Sequence, residues 1–205
     1  MDFDPDTMPA RDVYPLLIGA VNPRPIAWVS TVSADGTPNL APFSFFNAFG
    51  ARPPCVGFSP ALRRDGTKKD TLLNVEETGE FVVCVATEDT AEAMNLTSTE
   101  LPRGESEFGF AGLTPAPSVK VRPPRVAESP VAMECRLQQI IRIGDGPLST
   151  NLILGVVVLF HFDDRVLTDG KPDPHKLRTL GRLGADWYTR AADGLFELPK
   201  PPPRR

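Results

Sequence analysis

Two long runs in the C-terminal half limit the fold more than any other feature. In AMECRLQQIIRIG, residues 132–144, Met133, Cys135, Leu137, Ile141 and Ile143 share one face. Glu134, Arg136, Gln138 and Arg142 share the other, joined by Ile140. A period of two over this length marks an antiparallel strand with one wet side. LILGVVVLFHFDD, residues 152–164, is apolar on both faces and is expected to be the most buried strand. Upstream, IAWVSTVS runs into Ala-Asp-Gly, a hairpin turn signal, and returns from Asn39 to Phe46; CVGFS and EFVVCVAT add further strands. Asp70 or Thr71 is placed to cap a helix that Gly79 ends, and TEDTAEAMNLTS reads as a second short helix. Residues 100–118, rich in Pro, Gly and Glu, read as a long loop. No strand–helix–strand rhythm repeats, which argues against a doubly wound parallel sheet. The expected fold is mainly β, an antiparallel barrel with a few short helices.

Length and charge narrow the function classes. The 205 residues suffice for one domain with a sizeable core. Twenty-two basic against twenty-six acidic residues leave a net charge of −4, which argues against a sequence-independent nucleic-acid binder. Cys55, Cys84 and Cys135 lie far apart with no C-x-x-C pair, and read as small buried hydrophobes in a reducing compartment. The N-terminal MDFDPDTMPARDVY lacks the basic start and apolar run of a secretory signal, and the apolar run from Leu152 to Phe160 is too short to span a bilayer. The expectation is a cytoplasmic protein with no membrane partner. His161 and His175 have no companions at metal-ligand spacing, so no metal site is expected. G-x-G-x-x-G, G-x-x-x-x-G-K-[ST] and G-x-S-x-G are all absent.

Three stretches carry chemistry. APFSFFNAFG, residues 41–50, sets Ser44 and Asn47 among four phenylalanines. It suits either a flat apolar ligand with a polar rim or an aromatic core strand. SPALRRDGTKKDT, residues 59–71, gathers Arg63, Arg64, Lys68 and Lys69 with hydroxyls, a glycine turn and a helix start. Such donors match phosphate oxygens, although a solvated basic turn has the same composition. In NPRPIAWVST, residues 22–31, two prolines frame Arg24, and alternation puts Trp28 and Ser30 on one face with Thr31 on the other. The plain alternative there is a hairpin with a tryptophan in its core. A heterocycle bearing a phosphate, such as FMN, needs the combined inventory.

Four segments in order resemble the flavin reductase-like, FMN-binding split-barrel family, in the branch that includes flavoredoxin-like proteins. They are NPRPIAWVST, NLAPFSFFNAFG with PPCVGFSP, GTKKDTLLNVEETGEFVV, and LGRLGADWYTR. The resemblance covers residues 13–190, leaving 1–12 as an N-terminal arm and 191–205 as a Pro-rich tail. It implies a Greek-key split β-barrel that dimerises and holds FMN in a groove at or near the subunit interface. Carried over by position, it places Ser44, Phe45, Phe46 and Asn47 along the flavin ring, with Trp28, Ser30 and Thr31 beside them. Ser59, Arg63, Lys69, Asp70 and Thr71 match the segment that holds the phosphate and ribityl chain, Asp70 either capping its helix or orienting Lys69. Arg182 and Tyr188 match the C-terminal motif that packs towards the cofactor. The resemblance further implies NADH or NADPH as electron donor, and free flavin, a ferric complex or a partner monooxygenase as acceptor. The alternatives it leaves are a flavoredoxin-like electron carrier and a non-enzymatic FMN-binding protein. One departure is Val156, which follows Gly155 where the family often has an acid.

Overall fold

The structure is a computed structural model describing residues 1–203; Arg204 and Arg205, the end of the tail, lie outside the described residues. The chain opens with helix α1 (Ala10–Ala20), then β1 (Arg24–Pro25), β2 (Ala27–Val32), β3 (Pro38–Phe43), β4 (Phe46–Ala51) and β5 (Pro54–Phe58). Helix α2 (Asp70–Thr78), β6 (Glu80–Val85), α3 (Ala91–Leu96) and α4 (Glu107–Phe110) follow. Next come the short β7 (Pro115–Ala116) and β8 (Arg125–Val126), and the long β9 (Val131–Ile143) and β10 (Thr150–Phe162). The C-terminal part holds β11 (Leu167–Thr168), β12 (Lys171–Pro172), α5 (Pro174–Leu177), β13 (Leu180–Arg182) and β14 (Tyr188–Arg190).

Seven strands build one antiparallel sheet in the order β3–β2–β6–β9–β10–β5–β4. Its two edges, β3 and β4, are consecutive in sequence and joined only through Ser44 and Phe45. So short a link reaches no further than about 10 Å. The sheet therefore curls until its edges nearly meet, and the barrel is split where they do. The run from Asn39 onward is thus two strands with a corner, not one. Inside, Ala27, Val29, Phe43, Phe58, Leu72, Val75, Phe81, Cys135 and Ile153 form one core. Phe81 meets Phe58 edge-on at 5.3 Å between centroids and fills the space over Gly155, where an added Cβ would stand 2.2 Å from its ring. On the other side of β2, Trp28, Leu40, Val82, Met94, Phe108 and Leu180 form a second core beneath α3, α4 and β13. This is the mainly β split-barrel architecture expected, with few short helices.

Several local readings are corrected. The most buried strand is β2, buried at all six positions, whereas β10 alternates: Ile153 and Val157 are buried, Leu152, Leu154 and Val156 only half-buried. The wet face of β9 is interrupted by Glu134, which is fully buried. The Pro-rich segment after β7 lies over it and donates the Val119 and Lys120 amides to its two oxygens at 2.7 and 2.5 Å, while His161 Nε2 lies 2.6 Å from Oε1. Burial opposes ionisation, yet these donors outweigh it and hold the Glu134 carboxyl below its ordinary range. Residues 100–118 are not all loop, since they contain α4 and β7. Helix α1, with Pro15 inside it, extends back over part of the segment read as an arm. Finally, α2 begins at Asp70 after an N-cap Lys69 that makes no side-chain cap, and ends at Gly79 with φ 68°. That left-handed conformation suits glycine.

Candidate functional site

A groove runs along the free edge of β3. Two depressions of about 140 and 210 Å³ meet there and share Pro42 and Ser98. The first is lined by Arg63, Lys69, Asp70, Thr71, Glu100 and Glu107, among others. The second is lined by Tyr14, Ser44, Asn95, Arg182 and Tyr188 with Ile26 and Met94. One end is therefore charged and the other aromatic and hydroxyl-bearing. A larger open depression of about 620 Å³ adjoins the aromatic end at Met94, Asn95 and Tyr188, with Glu88, Asp89, Glu92 and Arg190 in its walls.

The charged end is built by the turn before α2 and by the segment between α3 and α4. Arg63 donates to Asp70 Oδ2 at 3.0 Å and to the Lys68 carbonyl. Asp70 takes a second cation, Arg103, at 2.8 Å. It thus neither caps its helix nor orients Lys69; it fixes two arginines. Lys69 Nζ meets Glu100 at 3.4 Å. Beneath them, Asn39 Nδ2 donates to Thr71 Oγ1 at 3.0 Å and Asn74 Nδ2 donates to Thr31 Oγ1 at 3.0 Å. Glu107 receives the Leu40 amide at 2.8 Å, and its burial, with the charge of Asp70 adding to it, pushes its carboxyl up.

The aromatic end is organised by Arg24, which is buried. Its guanidinium donates to the carbonyls of Ile18 and Val21 at the end of α1, at 2.8 and 2.7 Å, and to Leu183 at 2.9 Å. Its Nε donates to Ser44 Oγ at 3.3 Å. One side chain thus ties α1, the corner between β3 and β4, and the C-terminal motif together. Beside it, Arg182 stacks over the Tyr188 ring at 4.5 Å.

Of the residues singled out in the sequence, Ser44, Arg63, Lys69, Asp70, Thr71, Arg182 and Tyr188 line this groove. Trp28, Ser30 and Thr31 have no exposed surface. As ligand contacts they are corrected: Trp28 belongs to the second core and donates to Thr97 Oγ1 at 2.9 Å, and Thr31 belongs to the network under α2. Phe45 and Phe46 are half-buried at the corner, and Asn47 is exposed with its Oδ1 accepting the Ala48 amide. Ser59 receives no side-chain partner, although its amide donates to Phe45 O at 2.9 Å. Sequence reasoning missed Tyr14, Glu100, Arg103 and Glu107. The last three sit in a stretch whose composition signals only a loop.

Comparison with known proteins gives the same grouping. The flavin reductase-like domain family matches residues 19–175. A protein of Halalkalibacterium halodurans is 43% identical over 98% of this chain and 97% of its own length. Nitrilotriacetate monooxygenase component B from Bacillus cereus is 36% identical with a TM-score of 0.91, over 97% of this chain and 98% of that one. The 2-nitrobenzoate 2-nitroreductase of Pseudomonas fluorescens is 29% identical with a TM-score of 0.87, over 100% and 99%. With the matching domain spanning most of the sequence, and with such identity and fold likeness along nearly the whole chain, the chain belongs to the flavin reductase-like domain family.

Proposed function

We propose that this chain is an FMN-binding oxidoreductase that takes electrons from NADH or NADPH and passes them to an acceptor. The observation that carries this reading is the groove's polarity: cations, the carboxylates paired with them and hydroxyls at one end, aromatic and small polar side chains at the other. Those residues fit FMN. Arg63, Lys69 and Thr71 would hold the phosphate, with Asp70 fixing the guanidinium of Arg63 in place. Asn39 and Glu107 stand where ribityl hydroxyls would pass. Ser44, Tyr14, Arg182 and Tyr188 would frame the ring. When bound, FMN supplies the hydride-accepting ring, so the protein's work is positioning and electrostatic tuning, with no side chain needed as general acid or base. The open depression beyond Tyr188 gives a nicotinamide nucleotide a path to the ring without a dinucleotide-binding module.

Further parts of the reading concern assembly. Phe49, at 59% exposure, packs over Gly57 on an outer sheet face that also carries Leu154. Such an apolar face supports a homodimer, which light scattering at working concentration tests. The likeness to a monooxygenase component supports a partner monooxygenase as acceptor. The free cysteines suit the cytoplasm; among the described residues no helix is long and apolar enough to cross a membrane. The first test is the visible spectrum of the purified protein, before and after FMN, then NADH without oxygen. A flavin band that bleaches supports the reading. A band that persists moves it to an electron carrier, and no band after added FMN overturns it.

A further inference from the structure

Glu100 stands in the charged end of the groove, on the segment between α3 and α4. Its Oε1 is 3.4 Å from Lys69 Nζ and 3.8 Å from Arg63 Nε. Among the described residues, Lys69 has no other carboxylate within ion-pair distance. The two acids of this cluster differ in how they are held. Asp70 is only 18% exposed and is clamped by Arg63 and Arg103. Glu100 is 63% exposed and meets its cations at 3.4 and 3.8 Å, longer than the 3.0 and 2.8 Å of the Asp70 pairs. Asp70 is a fixture, whereas Glu100 can swing into water at little cost.

We propose that Glu100 is an internal competitor for the phosphate of the flavin, and so a residue that sets selectivity between phosphorylated and unphosphorylated flavins. This rests on the FMN reading above. The carboxylate and the phosphate take the same Lys69–Arg63 pair in turn. A phosphate monoester near neutral pH carries about 1.5 to 2 negative charges and three acceptor oxygens, so it displaces a loosely held carboxylate. Displacement still gives up the Glu100 contacts, and a Glu100 that stayed close would repel the phosphate. Either way FMN binds less tightly than the cations alone would allow. Riboflavin, with no phosphate, leaves Glu100 in place and is unaffected. When FMN departs, Glu100 re-pairs with the vacated cations, which speeds release and makes the flavin exchangeable.

The test compares wild type with Glu100→Gln in the full chain, titrating FMN and riboflavin separately at low salt and following FMN release after dilution. The expected result is FMN binding tightened about three- to tenfold with slower release, riboflavin unchanged, and a smaller effect at high salt. Glu100→Asp, which keeps the charge on a shorter stem, should stay closer to wild type. Equal shifts for both flavins, or no shift for FMN, would overturn the proposal while leaving the FMN reading intact. A wild-type protein that takes up neither flavin overturns both.

Discussion

Glu134 makes the sharpest test of how the barrel holds its covering segment. The side chain is fully buried and receives the Val119 and Lys120 amides, with His161 Nε2 at 2.6 Å. Glu134→Gln preserves the shape but turns one acceptor oxygen into a donor, so one of the two amides faces an N–H instead of an oxygen. An orphaned buried donor and the loss of a charge-assisted acceptor together cost about 3 kcal/mol. For a chain of this size that lowers Tm by about 6–12 °C. The effect has a definite pH dependence. The folded carboxyl titrates below its unfolded value. Its contribution is therefore complete above the unfolded pKa of about 4.3 and disappears as pH falls through the folded one. The gap between wild type and Glu134→Gln should be widest at neutral pH and close towards acid, where both side chains are neutral. Thermal melts of the two proteins, followed from neutral pH down into the acid range below the unfolded pKa of about 4.3, read this directly. Equal melting at neutral pH, or a gap that stays constant into acid, would refute the reasoning.

Three other perturbations separate site from scaffold. Lys69→Ala should weaken FMN binding by about 1.5–3 kcal/mol, roughly ten- to hundredfold, and leave riboflavin much less affected; calorimetry with both ligands checks it. Ser44→Ala removes the acceptor of Arg24 Nε at the groove but leaves that guanidinium three carbonyl partners. It should change the flavin spectrum while lowering stability by no more than about 1 kcal/mol in denaturant titration. Gly155→Ala drives a Cβ to 2.2 Å from the Phe81 ring, in the interior core. Overpacking of that kind should cost about 1–3 kcal/mol, read as a lower denaturation midpoint with an unchanged slope.

The strands were legible in the sequence because each carries its own periodicity: β9 alternates, and β2 and β6 are rich in β-formers between turn signals. The corner at Ser44 and Phe45 was not, because no glycine, proline or turn pair stands between Phe43 and Phe46 and only sheet closure separates β3 from β4. Burial of Glu134 was hidden for a similar reason. A glutamate on the polar face of an alternating strand looks solvated until a segment folded from elsewhere in the chain covers it. The charged end of the site was readable as a cluster because Arg63, Lys69 and Asp70 are neighbours in sequence. Glu100, Arg103 and Glu107 reach the same place only through tertiary structure. Trp28 and Thr31 show the opposite error: polar and aromatic residues beside a site motif can belong wholly to the core and its hydrogen-bond network.

The free edge of β3 explains why a groove can persist along it at all. An open edge normally invites another strand. The Leu40 amide points away from β2, since it donates to Glu107, so strand alternation turns positions 38 and 42 outward as well. Both are proline. The edge therefore has no donor left at those three positions: two amides are missing and the third is taken by a carboxyl from α4. A strand cannot add to such an edge, because it would find no N–H to pair with its carbonyls. What remains outward are the carbonyl oxygens of Pro38, Leu40 and Pro42, an acceptor-only rim. On the FMN reading proposed above, the ribityl hydroxyls and the ring N3–H would complement that rim, whereas the phosphate would look to Arg63 and Lys69 instead. On that reading, the prolines that guard the edge against strand addition would also sort the ends of the ligand.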